Sequence, residues 1–216
     1  MGGGQIAPVD AKIRDIKNIP VPSNRKELQR FIGMAGYYRR LCDNFSDVAA
    51  PLTSLTSPKV KFVWTADCQR SFEKLKALLT SQPVLKAPDF NKPFAIQVDA
   101  SDAGIGAVLL QLGDDELPHP VCYMSTKLKA YQKCYSTIEK ECLALITAIE
   151  KFNVYVNNPT DIIIVFSDHN PITFINKMKN RNSRLTRWAL ALQPYSLEIR
   201  HIRGKDNLIA DFLSRL

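Results

Sequence analysis

The sequence predicts an α/β fold, a mixed sheet with helices on both faces, preceded by a small helical domain. Three observations predict it. Apolar residues recur at helical spacing as far as Leu79 and switch to strand alternation at Phe94. The stretch SQPVLKAPDFNKPF lies between the two patterns, and its Pro83, Pro88 and Pro93 forbid continuous helix. Beyond it the elements run β-β-β-α-β-α-β-α, an order that layers helices on a sheet.

In the first part, Asn24 with Glu27 three residues on makes a capping-box-like start. Leu28, Phe31, Ile32, Ala35 and Tyr38 follow at helical spacing, and the opposite face carries Arg30, Tyr37 and Arg40, with Arg39 near it. Ser46 and Pro51 mark a turn into a short helix from Val48 to Leu55. Thr65 is the expected N-cap of a third helix with Phe72, Leu75, Leu78 and Leu79 on its apolar face. In the second part, Phe94, Ile96 and Val98 alternate with Ala95, Gln97 and Asp99 as a first strand. Gly104 and Gly106 lead into a second strand, Ile105 to Leu110; Asp114-Asp115 make a hairpin turn, and Pro120 to Ser125 a third strand. A long helix is expected from Thr137 to Phe152, then a buried strand over Ile162 to Phe166. Helices over Asn170 to Met178 and Arg184 to Leu192, a strand over Ser196 to Ile202 and a terminal helix capped by Asp206 complete the chain.

The expected organisation is a leader over residues 1–9, a helical region over 10–82, a linker over 83–93 and the sheet domain over 94–216. The opening MGGGQ reads as a leader or as the trimmed edge of a larger protein. No apolar run approaches the ~20 residues of a membrane span, so no membrane partner is expected. Five scattered cysteines without a CxxC pair argue against zinc and against a disulfide framework, and for reduced thiols in an intracellular protein. The net charge of +8 is uneven. Lys12 to Phe45 holds 8 basic and 3 acidic residues, and Asn176 to Leu216 holds 9 basic and 3 acidic. Basic flanks around an acidic centre suit a polyanion gripped at its backbone, although a solvated basic face gives the same count.

Four carboxylates stand beside apolar residues, where a charge is costly unless paired or metal-bound. Asp99 ends the first strand at a carboxyl edge, where α/β sheets place their sites; a turn aspartate is the plain alternative. Glu141 borders the stripe Ile138, Cys142, Leu145, Ile149 and Phe152, whereas Glu139, about 200° around the helix from it, is expected to face solvent. Asp168 closes the buried strand. Asp211 lies between Ile209 and Phe212, where a solvated acid is the common alternative. The order D-E-D-D on strand, helix, strand and helix suggests a two-metal phosphodiester site, and all-oxygen donors suit Mg²⁺ or Mn²⁺.

DASDAGIGAVL, YSTIEKECLALITAIEKF, FSDHNP and RGKDNLIADFLSR resemble the ribonuclease H domain of gypsy-type LTR-retrotransposon reverse transcriptases. The segment before them resembles the thumb-like and connecting region between polymerase palm and ribonuclease H. The resemblance runs from Pro8 to Leu216. It implies a ribonuclease-H-like fold, and Asp99, Glu141, Asp168 and Asp211 as ligands of two Mg²⁺ or Mn²⁺ ions. It further implies cleavage of the RNA strand of RNA/DNA hybrids, and a missing polymerase part as a partner. A silent ribonuclease-H-like binding module is the alternative, which the four carboxylates argue against. No palm sequence surrounds Leu112-Gly113-Asp114-Asp115, so no DNA synthesis is expected.

In one respect the chain departs from many ribonucleases H: HIRGKDN is too short for the usual histidine-bearing loop before the last helix. His201 is therefore assigned no catalysis, His169 could support the site or the substrate, and His119 is expected in a turn. Candidate nucleic-acid contacts are Tyr135, Ser136, His169, Arg184, Arg187, Arg203 and Lys205, with Lys26, Arg39 and Arg40 in the helical region; Arg200 belongs to the same basic set.

Overall fold

The computed structural model of the chain describes residues 9–39, 42, 44–81, 84–114, 116–157, 162–169 and 183–216. They fall into two compact units, Met1–Lys86 and Ala87–Leu216.

Among the described residues the first unit has four helices, α1 (Val9–Lys17), α2 (Arg25–Tyr37), α3 (Phe45–Leu55) and α4 (Ala66–Leu79). The sequence reading missed α1, whose side is set by Ile13, Ile16 and, just past its end, Ile19, all buried. At α2 the Asn24 side chain accepts from the Glu27 amide at 3.0 Å, but the Glu27 carboxylate accepts from the Ser23 backbone amide at 2.7 Å and from the Asn24 side chain at 2.8 Å, not from the Asn24 backbone amide. The cap therefore closes one residue earlier than the usual box. Helix α3 begins at Phe45, not Val48, and Pro51 lies inside it rather than in the turn before it. Thr65 caps α4 by accepting from the Cys68 amide at 3.3 Å. Phe31 of α2 meets Phe72 of α4 with ring centroids 4.7 Å apart, both fully buried.

The second unit is a five-stranded sheet in the order β3-β2-β1-β4-β5. β1 (Phe94–Ala100), β2 (Gly104–Leu112) and β3 (Pro118–Lys127) form an antiparallel meander. β4 (Ile163–Ser167) runs parallel to β1, and β5 (Leu197–His201) parallel to β4. Two short helices, α5 (Ala130–Lys133) and α7 (Asn153–Val156), flank the long α6 (Thr137–Lys151); α8 (Ser183–Leu192) and α9 (Leu208–Ser214) complete the unit. Ile96, Val98, Ala107 and Leu109 pack with Leu145, Ala148 and Ile149 of α6 in one core. On the opposite face α9 lies so close to β2 that a side chain at Gly106 would meet the Ala210 carbonyl. Helices thus cover both faces, the α/β ribonuclease-H-like layering that the sequence order implied.

Four local expectations are corrected. His119 sits in β3 and is buried, because the strand begins at Pro118 and not Pro120. Glu139 is buried rather than solvated: it closes the α6 capping box with Ser136 and pairs with Arg184 at 2.7 Å. Asp206 does not cap the last helix; it pairs with Arg203, and Asn207 holds the N-cap position. Ile162 is exposed and lies ahead of β4. The helix expected over Asn170 to Met178 lies outside the described residues.

Candidate metal centre

The sheet register creates the site. Ala95, Ile96 and Gln97 of β1 pair with Ile164, Val165 and Phe166 of β4 in parallel. Two residues further on, Asp99 and Asp168 reach the carboxyl ends of adjacent parallel strands together. Glu141, in the second turn of α6, approaches from the helix. One carboxylate oxygen of each of Asp99, Glu141 and Asp168 lies within 4.8 Å of the others. Asp99 and Glu141 are buried, and Asp168 is half-buried.

Crowded, desolvated carboxylates disfavour ionisation. Burial lifts the Glu141 carboxyl to about 9, and the charges of Asp99 and Asp168 add to this. Burial also lifts Asp99 to about 6; the Ser214 hydroxyl, which donates to its Oδ2 at 2.6 Å, pulls the other way. Glu141 Oε2 is buried with no hydrogen-bond partner. A buried, orphaned carboxylate oxygen in an acidic cluster fits a bound cation, and the donor set fits a hard one.

The fourth carboxylate stands apart from that cluster. Asp211 Oδ1 on α9 accepts from both Nε and Nη2 of Arg215, one turn further along, the Nε contact being 2.7 Å. Its charge still raises the Asp99 carboxyl. The backbone before α9 also shapes the site, since a Cβ at Gly204 would lie 3.1 Å from Asp168 Oδ2. Asn207 donates to the Val98 carbonyl at 2.9 Å, joining the start of α9 to β1 one residue before Asp99.

The proposed nucleic-acid residues divide by their commitments. Ser136 caps α6, while Arg184 bonds Glu139 and stacks 3.9 Å over the Tyr135 ring, so Arg184 and Tyr135 already tie the start of α6 to α8. Arg203 pairs with Asp206 at 2.8 Å. Arg187 and Lys205 are exposed, as are Lys26 and Arg39 in the helical unit, while Arg40 lies outside the described residues. Arg200 pairs with Glu198. His169 is half-buried, its amide donates to Ser167 Oγ at 3.1 Å, and burial lowers its pKa against the pull of Asp168. A ring nitrogen of His201 contacts the Asp168 carbonyl at 3.1 Å. The sequence reading missed Ser214, Arg215 and Gly204. The first two stood in the quoted LSR ending, and Gly204 beside a charged loop was the signal for a close backbone approach.

Residues 64–164 match the family described as the RNase H-like domain found in reverse transcriptase. The matched stretch includes Asp99 and Glu141, while Asp168 and Asp211 follow beyond it. The chain is 38% identical over 98% of its length to the retrovirus-related Pol polyprotein from transposon 297 of Drosophila melanogaster, covering 19% of that protein. It is 36% identical over 97% of its length to the transposon Tf2-3 polyprotein of Schizosaccharomyces pombe, covering 16% of it. The chain therefore spans about a fifth of these relatives' length. Among solved structures, a foamy viral protease-reverse transcriptase in complex with double-stranded DNA superposes with a TM-score of 0.67 at 22% identity, over 86% of this chain and 36% of that one. The native prototype foamy virus protease-reverse transcriptase superposes at 0.66 and 18%, over 86% and 25%. The chain thus carries an RNase H-like stretch of the kind found in reverse transcriptases and is similar along its length to parts of retrotransposon Pol polyproteins.

Proposed function

We propose that the chain is a divalent-metal-dependent endoribonuclease that cuts the RNA strand of RNA/DNA hybrids, as the carboxyl-terminal part of a retroelement-type reverse transcriptase. The observation that carries this is the Asp99–Glu141–Asp168 cluster with its orphaned buried Glu141 oxygen. Asp99, Glu141 and Asp168 would hold one Mg²⁺ or Mn²⁺, and Asp211 with Asp99 a second. Such ions supply an activated water and charge stabilisation at the leaving oxygen. The protein's own part is positional. β1 and β4 fix two carboxylates in register, Ser214 fixes one oxygen of Asp99, and the α6 cap holds the turn before Glu141. Exposed Arg187 and Lys205 would take backbone phosphates, and hybrid shape with the 2′-hydroxyl would select the RNA strand. Residues 10–82 would act as a thumb-like grip through Lys26, Arg30 and Arg39, beside a polymerase part supplied elsewhere.

The test is cleavage of labelled hybrid by the purified chain with Mg²⁺ or Mn²⁺. Cleavage that EDTA stops, with single-stranded RNA and double-stranded DNA spared, is expected. Folded protein inert at every metal concentration would leave a silent binding module as the reading.

A further inference from the structure

Consecutive residues at the end of α9 each hold a different carboxylate of the site. Ser214 is fully buried and donates to Asp99 Oδ2 at 2.6 Å. Arg215 turns the other way and places both Nε and Nη2 on Asp211 Oδ1. That last turn has little freedom. The Ser125 hydroxyl donates to the Leu213 carbonyl at 2.8 Å, and the Ser101 hydroxyl donates to the Ser214 carbonyl. The backbone that launches Arg215 is therefore fixed to the sheet.

The placement of charge is uneven. Asp99, Glu141, Asp168 and Asp211 bring four acids to one sheet end. The guanidinium of Arg215 answers them: its charge couples to Asp211, Asp99 and Asp102. Because both its nitrogens use one oxygen of Asp211, no hydrogen bond among the described residues takes Asp211 Oδ2. Asp211 is thus held, yet open on one side.

Resting on the nuclease reading above, we infer that Arg215 is a built-in counter-charge that competes with a divalent cation for Asp211 and thereby sets how much Mg²⁺ or Mn²⁺ the site requires. A positive group fixed within bonding reach of a ligand oxygen repels an incoming cation and must share that oxygen with it. The same group relieves acid–acid repulsion when no cation is bound. Arg215 therefore raises the ion requirement while steadying the metal-free site.

The experiment measures Mn²⁺ binding directly, by calorimetry and by the electron paramagnetic resonance of free Mn²⁺, on the full chain as wild type, Arg215→Gln and Arg215→Lys. Thermal unfolding without metal is recorded in parallel. Arg215→Gln keeps a polar, hydrogen-bonding side chain, though a shorter one, and loses the charge. It should bind Mn²⁺ about two- to five-fold more tightly, the size expected for a part-exposed ion pair, and should melt lower when metal-free. Arg215→Lys should stay near wild type in both. Unchanged or weaker Mn²⁺ binding by Arg215→Gln, with wild type binding normally, would overturn the counter-charge and leave Arg215 as a brace for Asp211. A wild-type chain that binds no Mn²⁺ would overturn the metal reading and this inference together, so the two failures are distinct.

Discussion

Gly106→Ala removes no functional group, yet it should disable the site. Gly106 pairs with Asp99 across the β1–β2 ladder, and its Cα faces α9. A Cβ there would stand 2.1 Å from the Ala210 carbonyl oxygen, 2.4 Å from the Ser214 amide nitrogen and 2.9 Å from the Leu213 carbonyl carbon. Comfortable contact begins near 3.5 Å, so α9 must retreat by more than about 1 Å. All three obstacles are backbone, so no rotamer change relieves them. The retreat also stretches the Ser214–Asp99 and Ser125–Leu213 bonds. Overpacking costs typically ~1–3 kcal/mol, and a moving helix places this case at about 3 kcal/mol. For a unit of this size that lowers Tm by roughly 10 °C. A displacement of about 1 Å in a catalytic constellation can cost about 100-fold in rate. Circular-dichroism melting and hybrid cleavage would be measured beside Gly33→Ala, where nothing lies within 4 Å of the added methyl and a helix interior favours alanine. Gly106→Ala with the melting point and cleavage rate of wild type would refute the placement of α9 and the dependence of Asp99 on it.

Asp168→Asn and Glu141→Gln should each reduce cleavage below detection while hybrid affinity stays within about two-fold, since the amides keep shape but lose charge at the ligand position; nitrocellulose binding beside the cleavage assay separates the two effects. Glu139→Gln is expected to destabilise by about 1–3 kcal/mol, because it leaves Arg184 facing a neutral partner at a part-buried pair, and to retain cleavage within about ten-fold; a dead but stable variant would make Glu139 a ligand instead. The carboxyls of Glu141 and Asp99 are raised, to about 9 and about 6, so the stability these two groups contribute to the metal-free fold is fully present below the ordinary carboxylate range and is lost as pH rises through those values. Mg²⁺ or Mn²⁺, competing with protons for the same oxygens, should therefore raise Tm little near pH 5 and more near pH 8; an equal or reversed shift in differential scanning fluorimetry would contradict it. Removing residues 1–85 should flatten the salt dependence of hybrid affinity, each lost phosphate contact reducing the log–log slope by about 0.9; an unchanged slope would make the helical unit a spacer.

What was legible in the chain followed periodicity. The strand alternation of β1 placed Asp99 opposite Ile96 and Val98, and the helical phase of α6 separated Glu141 from Glu139. Phase places a residue on a face, but it does not report what the other face touches. Glu139 points away from the acidic cluster, as its phase required, and is nevertheless buried, because α8 brings Arg184 to it from 45 positions along the chain. The same limit hid the role of Gly106. A glycine inside a strand is a signal of close backbone approach, but read locally it also serves as a way into a strand. Only the return of α9, more than 100 residues later, shows what approaches it. The Ser214–Asp99 bond spans 115 positions and the Asn207–Val98 bond 109, so the parts of the site that orient carboxylates are its least local contacts. Asp211 shows the converse. Its sequence context left solvated acid and ligand both open, and the geometry keeps it between them, held by Arg215 four residues on. Local pattern thus supplied the acids and the Arg215 counter-charge on Asp211, and the chain's long-range return supplied the orientation of Asp99, which is why substitutions at Gly106, Ser214 and Arg215 probe the site more selectively than the loss of any one carboxylate.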